Sequence, residues 1–321
     1  LQVLNKSNPL PFQLDTEEKA SEDLRLKYRY LDLRRSEMQR YLKLRHEVTF
    51  AMRQYFNEQG FYEIETPSLS KSTPGGARNF LVPSRSQPGT FYGLTESPQL
   101  YKQLLMAAGF DKYFQIARCF RDEALRSNRQ PEFTQLDIEM SFIEEHDIQT
   151  VCEGLFSILW KKFLNFELKL PLAQYSYDEV FLRFGSDKPD MRFELEIKEI
   201  SKLFAGSPVS FIDQALKTGG KAGCLVVKNH RFSRTDLDRW SDYVLKELGA
   251  KGLLWIRWKE DGSLDSPLAK HLPADFFEQA KTILPDLTKK DTLFVVIGTY
   301  EEAWTTLGQL RLSLCKALNL I

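Results

Sequence analysis

Residues 112–142 constrain this chain more than any other stretch. Leu136, Ile138, Met140 and Phe142 alternate with Gln135, Asp137, Glu139 and Ser141. That period of two belongs to an antiparallel strand over 133–142 with one apolar and one polar face. A second β-like run occupies 112–121, and the polar residues 122–132 join the two. The prediction is a long hairpin that buries one side in a core and turns a row of amides and carboxylates the other way. Adjacent polar groups on a sheet face need water, charged partners or a ligand.

Around this hairpin the sequence predicts an α+β fold. An amphipathic helix is expected over 36–59, from the apolar positions 38, 41, 42, 48, 52, 55 and 56, with Gly60 as its stop. Short strands are expected over 61–64, 80–82 and 91–94. A helix should begin at Ser97-Pro98-Gln99, with the Ser97 hydroxyl as N-cap, and end near Gly109. Another helix is expected over 147–165, capped by Asp147. Residues 70–79 read as a loop from their Ser, Pro and Gly content. From about 191 the texture changes to strands near 224–227, 252–258 and 292–297, alternating with helices over 235–248, 274–283 and 301–319. This places a second α+β domain at 191–321, after a first over 21–190 and an extended hinge over 1–20.

Several function classes are excluded. With 44 basic and 44 acidic residues among 321, the total charge does not mark a nucleic-acid binder. An excess of basic over acidic residues between Lys71 and Arg129 reads, on charge alone, as a solvated face. The cysteines at 119, 152, 224 and 315 show no zinc spacing and read as reduced thiols. No apolar run is long enough to span a membrane, and the first residues do not form a signal peptide. There is no GxGxxG or GxSxG segment and no HExxH helix, and Thr218 to Gly223 (TGGKAG) lacks the frame of a phosphate-binding P-loop. His46, His146, His230 and His271 are isolated in sequence and carry no assigned chemistry.

The informative chemistry lies in Phe120 to Glu139, FRDEALRSNRQPEFTQLDIE. Arg121 stands where strand meets loop, a position from which a guanidinium can make paired hydrogen bonds to phosphate. Glu123 leaves the same side of an extended backbone two residues on, and a carboxylate there can accept from an adenine amino group. Phe133 offers a flat face for stacking. Gln135, Asp137 and Glu139 follow on one face. Each residue taken singly reads as part of a solvated hairpin; the ordered set reads as a ligand cradle.

This segment resembles motif 2 of the class II aminoacyl-tRNA synthetases, and RQPEFTQLDIE resembles their aspartyl branch. Gly60 to Pro67 (GFYEIETP), with the helix before it, resembles motif 1, which forms the family's dimer interface and includes Pro67. Ser97 to Lys102 (SPQLYK) resembles the segment lining the aspartate pocket. Leu26 to Arg35 (LKYRYLDLRR) resembles the start of the catalytic domain. Gly185 to Asp190 (GSDKPD) resembles the opening of the bacterial-type insertion domain. The resemblance implies a class II antiparallel sheet flanked by helices, with the insertion domain as the second α+β domain.

Roles follow from that resemblance. Arg121 is expected to hold the α-phosphate of ATP and the substrate carboxylate, as the residue nearest the chemistry. Asp122, Glu123, Gln130 and Phe133 complete the expected ATP site, with Glu123 on the adenine, Phe133 stacked on it, and Mg²⁺ on the phosphates near Asp122 and Glu123. Gln99 and Asp137 are expected to take the ammonium group of L-aspartate, with Ser97 and Gln135 nearby and Lys102 on the side-chain carboxylate. The bland reading of Lys102 is a surface lysine. No metal ligand is assigned within the chain. The implied partners are tRNA(Asp), alone or together with tRNA(Asn), and a second copy of the chain; the implied compartment is the cytoplasm or an organellar matrix.

Three departures from the family pattern stand out. Gly75, in Thr73 to Ala77 (TPGGA), replaces a Glu of the bacterial substrate loop, a replacement that organelle-type members resemble. No motif 3 follows the insertion domain, and only residues 1–12 match the end of an anticodon-binding OB-fold. The expectation is an incomplete chain, inactive in aminoacylation by itself. A non-catalytic relative binding an amino acid, a nucleotide or tRNA is the competing reading.

Overall fold

A computed structural model describes residues 2–14, 20–71, 76–259 and 261–321. The chain forms two compact units, residues 1–173 and 174–321.

The first unit opens with short helices α1 (Glu22–Lys27) and α2 (Arg29–Asp32), then the long α3 (Ser36–Glu58). Gly60 follows at φ +77°, a left-handed turn that a side chain would strain. β1 (Tyr62–Glu63) pairs in parallel with β5 (Lys112–Phe120), and β5 pairs antiparallel with β6 (Glu132–Met140) over nine residues. A small separate sheet holds β2 (Leu69–Ser70), β3 (Leu81–Pro83) and β4 (Phe91–Leu94) in the order β2-β4-β3. α4 (Gln99–Ala107) lies between β4 and β5 in sequence, and α5 (Glu145–Leu164) follows the hairpin.

The apolar face of the hairpin does what its alternation predicts. Leu136, Ile138 and Met140 pack with Phe114 against Phe56, Tyr55 and Ala51 of α3 and Leu155 and Leu159 of α5. Phe56 stacks on Phe114 with ring centroids 4.9 Å apart. The Tyr55 hydroxyl donates to the Val151 carbonyl at 2.8 Å, tying the two helices together. Only the second half of the α3 stripe serves this core; Tyr41 and Leu42 are exposed in the single chain.

Three local expectations are corrected. Phe142 does not extend the strand: it sits at φ +55° in a turn and is 98% exposed. Pro98, rather than Ser97, occupies the N-cap position of α4, and no side chain caps that helix. α5 starts earlier than expected, with Glu144 as N-cap and Asp147 three residues inside it, in a reciprocal capping box.

The second unit contains α6 (Tyr177–Phe184), β7 (Lys198–Glu199), α7 (Ser210–Lys217), β8 (Lys221–Val227), α8 (Arg234–Lys246), β9 (Leu254–Trp258), β10 (Leu264–Asp265), α9 (Phe276–Ile283), β11 (Thr292–Gly298) and α10 (Tyr300–Leu318). Its sheet runs β10-β9-β11-β8-β7, antiparallel throughout. One face, with Leu225, Trp255 and Phe294, meets α8 and α10; the other, with Cys224, Ile256 and Val295, meets α7 and α9. α6 belongs here, so this unit begins at Gln174, ahead of the change in sequence texture near 191. The reason is a close approach: Gly185 (φ +65°) lies against the backbone of α10, and a Cβ on it would come within 1.9 Å of the Trp304 carbonyl oxygen.

Candidate active site on the polar face of the hairpin

Antiparallel register sets opposite residues on one face. Tyr113, Gln115, Ala117 and Cys119 on β5 stand opposite Glu139, Asp137, Gln135 and Phe133 on β6. This face carries charge at low exposure. Lys102, reaching over from α4, places its ammonium 3.0 Å from Asp137 Oδ1 and 3.2 Å from Glu139 Oε2; the three side chains are 12%, 10% and 29% exposed. Among the described residues Asp137 Oδ2 is buried without a donor at hydrogen-bond geometry, although the Tyr113 hydroxyl, which bonds to Gln115, lies close enough to act on the carboxyl. An unsatisfied buried carboxylate oxygen costs on the order of 1–3 kcal/mol or more, which makes this atom a candidate acceptor for a donor group.

The electrostatics follow from this crowding. Burial pushes the Asp137 carboxyl above its ordinary range, and Glu139 adds to the shift, while Lys102 opposes it. Burial works to lower the Lys102 ammonium, but its bonds to Asp137 and Glu139 outweigh that and leave it above its usual value. Burial and the neighbouring Asp137 charge raise Tyr113. Burial likewise pushes the Cys119 thiol up to about 11, with Arg121 pulling the other way. Cys119 donates to Gln135 Oε1 at 3.1 Å.

Three residues of this floor, Tyr113, Gln115 and Thr66, are not among the site residues the sequence points to. Gln115 Oε1 accepts from the Tyr113 hydroxyl at 2.8 Å and from the Thr66 hydroxyl at 2.9 Å. The β5 alternation, projected in register onto Gln135 and Asp137, is the sequence signal that could have found Tyr113 and Gln115. Thr66, beside Pro67, has no such signal.

At the loop end, Arg121, Glu123, Gln130 and Phe133 line one cavity of about 370 Å³, together with Asn128 and Arg129. That volume lies within the range of small-molecule sites. The Arg121 guanidinium lies over the Phe133 ring at 5.1 Å, and its Nε donates to the Glu96 carbonyl at 3.4 Å. Glu96 in turn accepts from the Ala77 backbone N–H at 2.9 Å. The Arg121 backbone N–H donates to the Pro131 carbonyl, closing the base of the loop, and Arg126 bridges to Arg129 across it.

The structure therefore brings together four of the five residues expected around ATP. Asp122 is exposed and lies outside the cavity lining, its backbone N–H bonded to the Arg78 carbonyl. Lys102 and Asp137 meet directly. Gln135 is engaged by Cys119, Ser97 is half-buried, and Gln99 is exposed at the first turn of α4. Pro67 is exposed and accepts from the Thr95 hydroxyl at 3.2 Å. Gly75 lies outside the described residues.

The sequence that builds this hairpin and its charged face has relatives among known proteins. The family description "tRNA synthetases class II (D, K and N)" matches residues 21–304, and the chain belongs to that family. Over its whole length it is 49% identical to the aspartate–tRNA(Asp/Asn) ligase of Hydrogenobaculum sp. (strain Y04AAS1) and 46% identical to that of Persephonella marina. It is also 46% identical, over its whole length, to the aspartate–tRNA ligase of Halalkalibacterium halodurans. These alignments cover 53%, 53% and 54% of the three relatives, so the chain spans about half the length of the curated relatives it matches. Among the described residues no helix is long and apolar enough to cross a membrane.

Proposed function

We propose that this chain carries the ATP and amino-acid sites of an aspartate–tRNA ligase. The reaction would join L-aspartate to ATP as aspartyl-adenylate, then transfer aspartate to the 3′ end of tRNA(Asp). The observation that carries this reading is the Lys102–Asp137 pair at 3.0 Å, with Asp137 Oδ2 unpartnered among the described residues, on the hairpin face where Arg121 lies over Phe133.

A zwitterion with an acidic side chain suits that pair. Its ammonium would satisfy Asp137 Oδ2, and its side-chain carboxylate would take Lys102 as partner. Gln99, Ser97 and Gln135 would supply further polar contacts around the same group. Asparagine would leave the Lys102 charge without a counter-ion, a loss of about 2–5 kcal/mol for a desolvated pair. Arg121 would hold the α-phosphate and the attacking carboxylate together, with Phe133 and Glu123 on the adenine and Gln130 on the nucleotide. The carboxylate attacks the α-phosphate in line and pyrophosphate leaves; no deprotonation is needed, so positioning and charge neutralisation provide the catalysis. Mg²⁺ would enter with the ATP phosphates and neutralise charge there, with Glu123 on the cavity lining and Asp122 beside it as carboxylates able to hold its waters.

We assign residues 21–190 to the first part of the catalytic domain and residues 191–321 to the bacterial-type insertion domain, with residues 174–190 packed on α10 of the second unit, and residues 1–20 to a hinge and the end of an OB-fold. Exposed Tyr41 and Leu42 on α3, with Pro67, supply an apolar face for a homodimer. The cytoplasm or an organellar matrix would keep the four free thiols reduced. Aspartate-dependent exchange of pyrophosphate into ATP, by the protein produced from its complete gene, tests the reading. Exchange with aspartate and not asparagine is the expected result, and its absence would overturn the reading. Charging assays with tRNA(Asp) and tRNA(Asn) then decide the range of acceptors.

A further inference from the structure

The Lys102 cluster contains one more carboxylate than the proposed reaction uses. Asp137 and Glu139 are two apart on β6 and therefore share a face, and both reach the same ammonium from α4. With all three groups ionised the cluster carries one net negative charge. Binding a zwitterionic amino acid sets these groups in competition. When the incoming ammonium engages Asp137, it draws that carboxylate's charge away from Lys102. A lysine is a compact charge on a flexible stem and carries about 2 kcal/mol of side-chain rotamer entropy. Held by Asp137 alone, it would be released at the moment its position decides which side chain is accepted.

We infer that Glu139 is a positioning residue that keeps Lys102 in place while Asp137 passes to the substrate ammonium. Glu139 meets Lys102 through its own Oε2, away from the buried Asp137 Oδ2, so that bond needs no rearrangement when an ammonium engages Asp137. Its negative charge also makes an ammonium on the ligand a requirement, because a plain dicarboxylate would add repulsion and leave Asp137 Oδ2 unsatisfied. The Tyr113 hydroxyl, diagonal to Asp137 across the hairpin, bonds to Gln115 and lies near enough to feel the Asp137 charge, and while neutral it cannot serve Lys102 as a counter-ion. The inference rests on the proposed function and adds a residue that reading leaves idle.

The test is Glu139→Gln in the protein produced from its complete gene, read by aspartate-dependent pyrophosphate exchange. The aspartate KM should rise by about tenfold or more while the ATP KM stays within about twofold. Glu139→Asp should recover part of the lost affinity, and it provides the same reading if the Gln variant does not fold. Unchanged aspartate KM, or equal rises for aspartate and ATP, would overturn the inference. Absence of exchange in the unsubstituted protein would instead overturn the proposed function, so the two failures are distinct.

Discussion

The sheet of the second unit is covered on both faces by apolar side chains. Leu225, Trp255 and Phe294 face one way, and Cys224, Ile256 and Val295 the other. The β5–β6 hairpin of the first unit has one such face; the opposite one holds Lys102, Asp137, Glu139 and Gln115. The second sheet is built for cohesion. The first gives up half of that to hold charged groups at low exposure, one of them with an oxygen left unbonded. Burying charge this way seldom adds stability. The contrast therefore separates a scaffold from a site without reference to any relative.

That contrast can be broken in four places. The largest effect is expected from Trp304→Ala, which empties the fully buried centre of the second unit and removes the donor to the Leu182 carbonyl. Urea unfolding of that unit should show a loss of about 3–5 kcal/mol. Lys102→Ala should erase the preference for aspartate over asparagine, measured as the ratio of kcat/KM in exchange, by about 2–5 kcal/mol. Phe133→Ala should weaken ATP by about 0.5–1.5 kcal/mol, read as an ATP KM raised more than the aspartate KM, because the ring lies under Arg121 and, in the proposed site, against the adenine.

The smallest effect on stability is expected at Asp137→Asn, although activity should collapse. The folded Asp137 carboxyl lies above its ordinary value of 3.8, so the folded chain holds that proton more tightly than the unfolded chain does. Its contribution to stability is present below the ordinary value and lost as pH rises through the folded value. At neutral pH the ionised group thus weighs against the fold, and Asp137→Asn should change stability by less than about 1 kcal/mol. A loss above about 3 kcal/mol would make Asp137 an ordinary structural anchor.

Much of this was legible in the sequence because the hairpin obeys a strict period. Leu136, Ile138 and Met140 reveal the buried face, and Asp137 and Glu139 the other. The period could not show where the strand stops: Phe142 has the right alternation but stands in a left-handed turn. Helix starts were misread where capping is reciprocal, as with Glu144 and Asp147, or absent, as at Ser97. The ammonium–carboxylate cluster was visible only in part, because Lys102 and Asp137 are brought together by the packing of α4 on β6 and not by spacing along the chain. The start of the second unit was hidden for the same reason, since the Gly185 approach to Trp304 joins residues far apart in sequence.

The most direct measurement is a crystal structure of the protein from its complete gene with a non-hydrolysable aspartyl-adenylate analogue. The account predicts the phosphate on Arg121, the adenine against Phe133, the ammonium on Asp137 Oδ2, and the acidic side chain on Lys102, itself still bonded to Glu139. An analogue bound away from this hairpin face, or one whose ammonium and acidic side chain leave Asp137 Oδ2 and Lys102 uncontacted, would contradict the account.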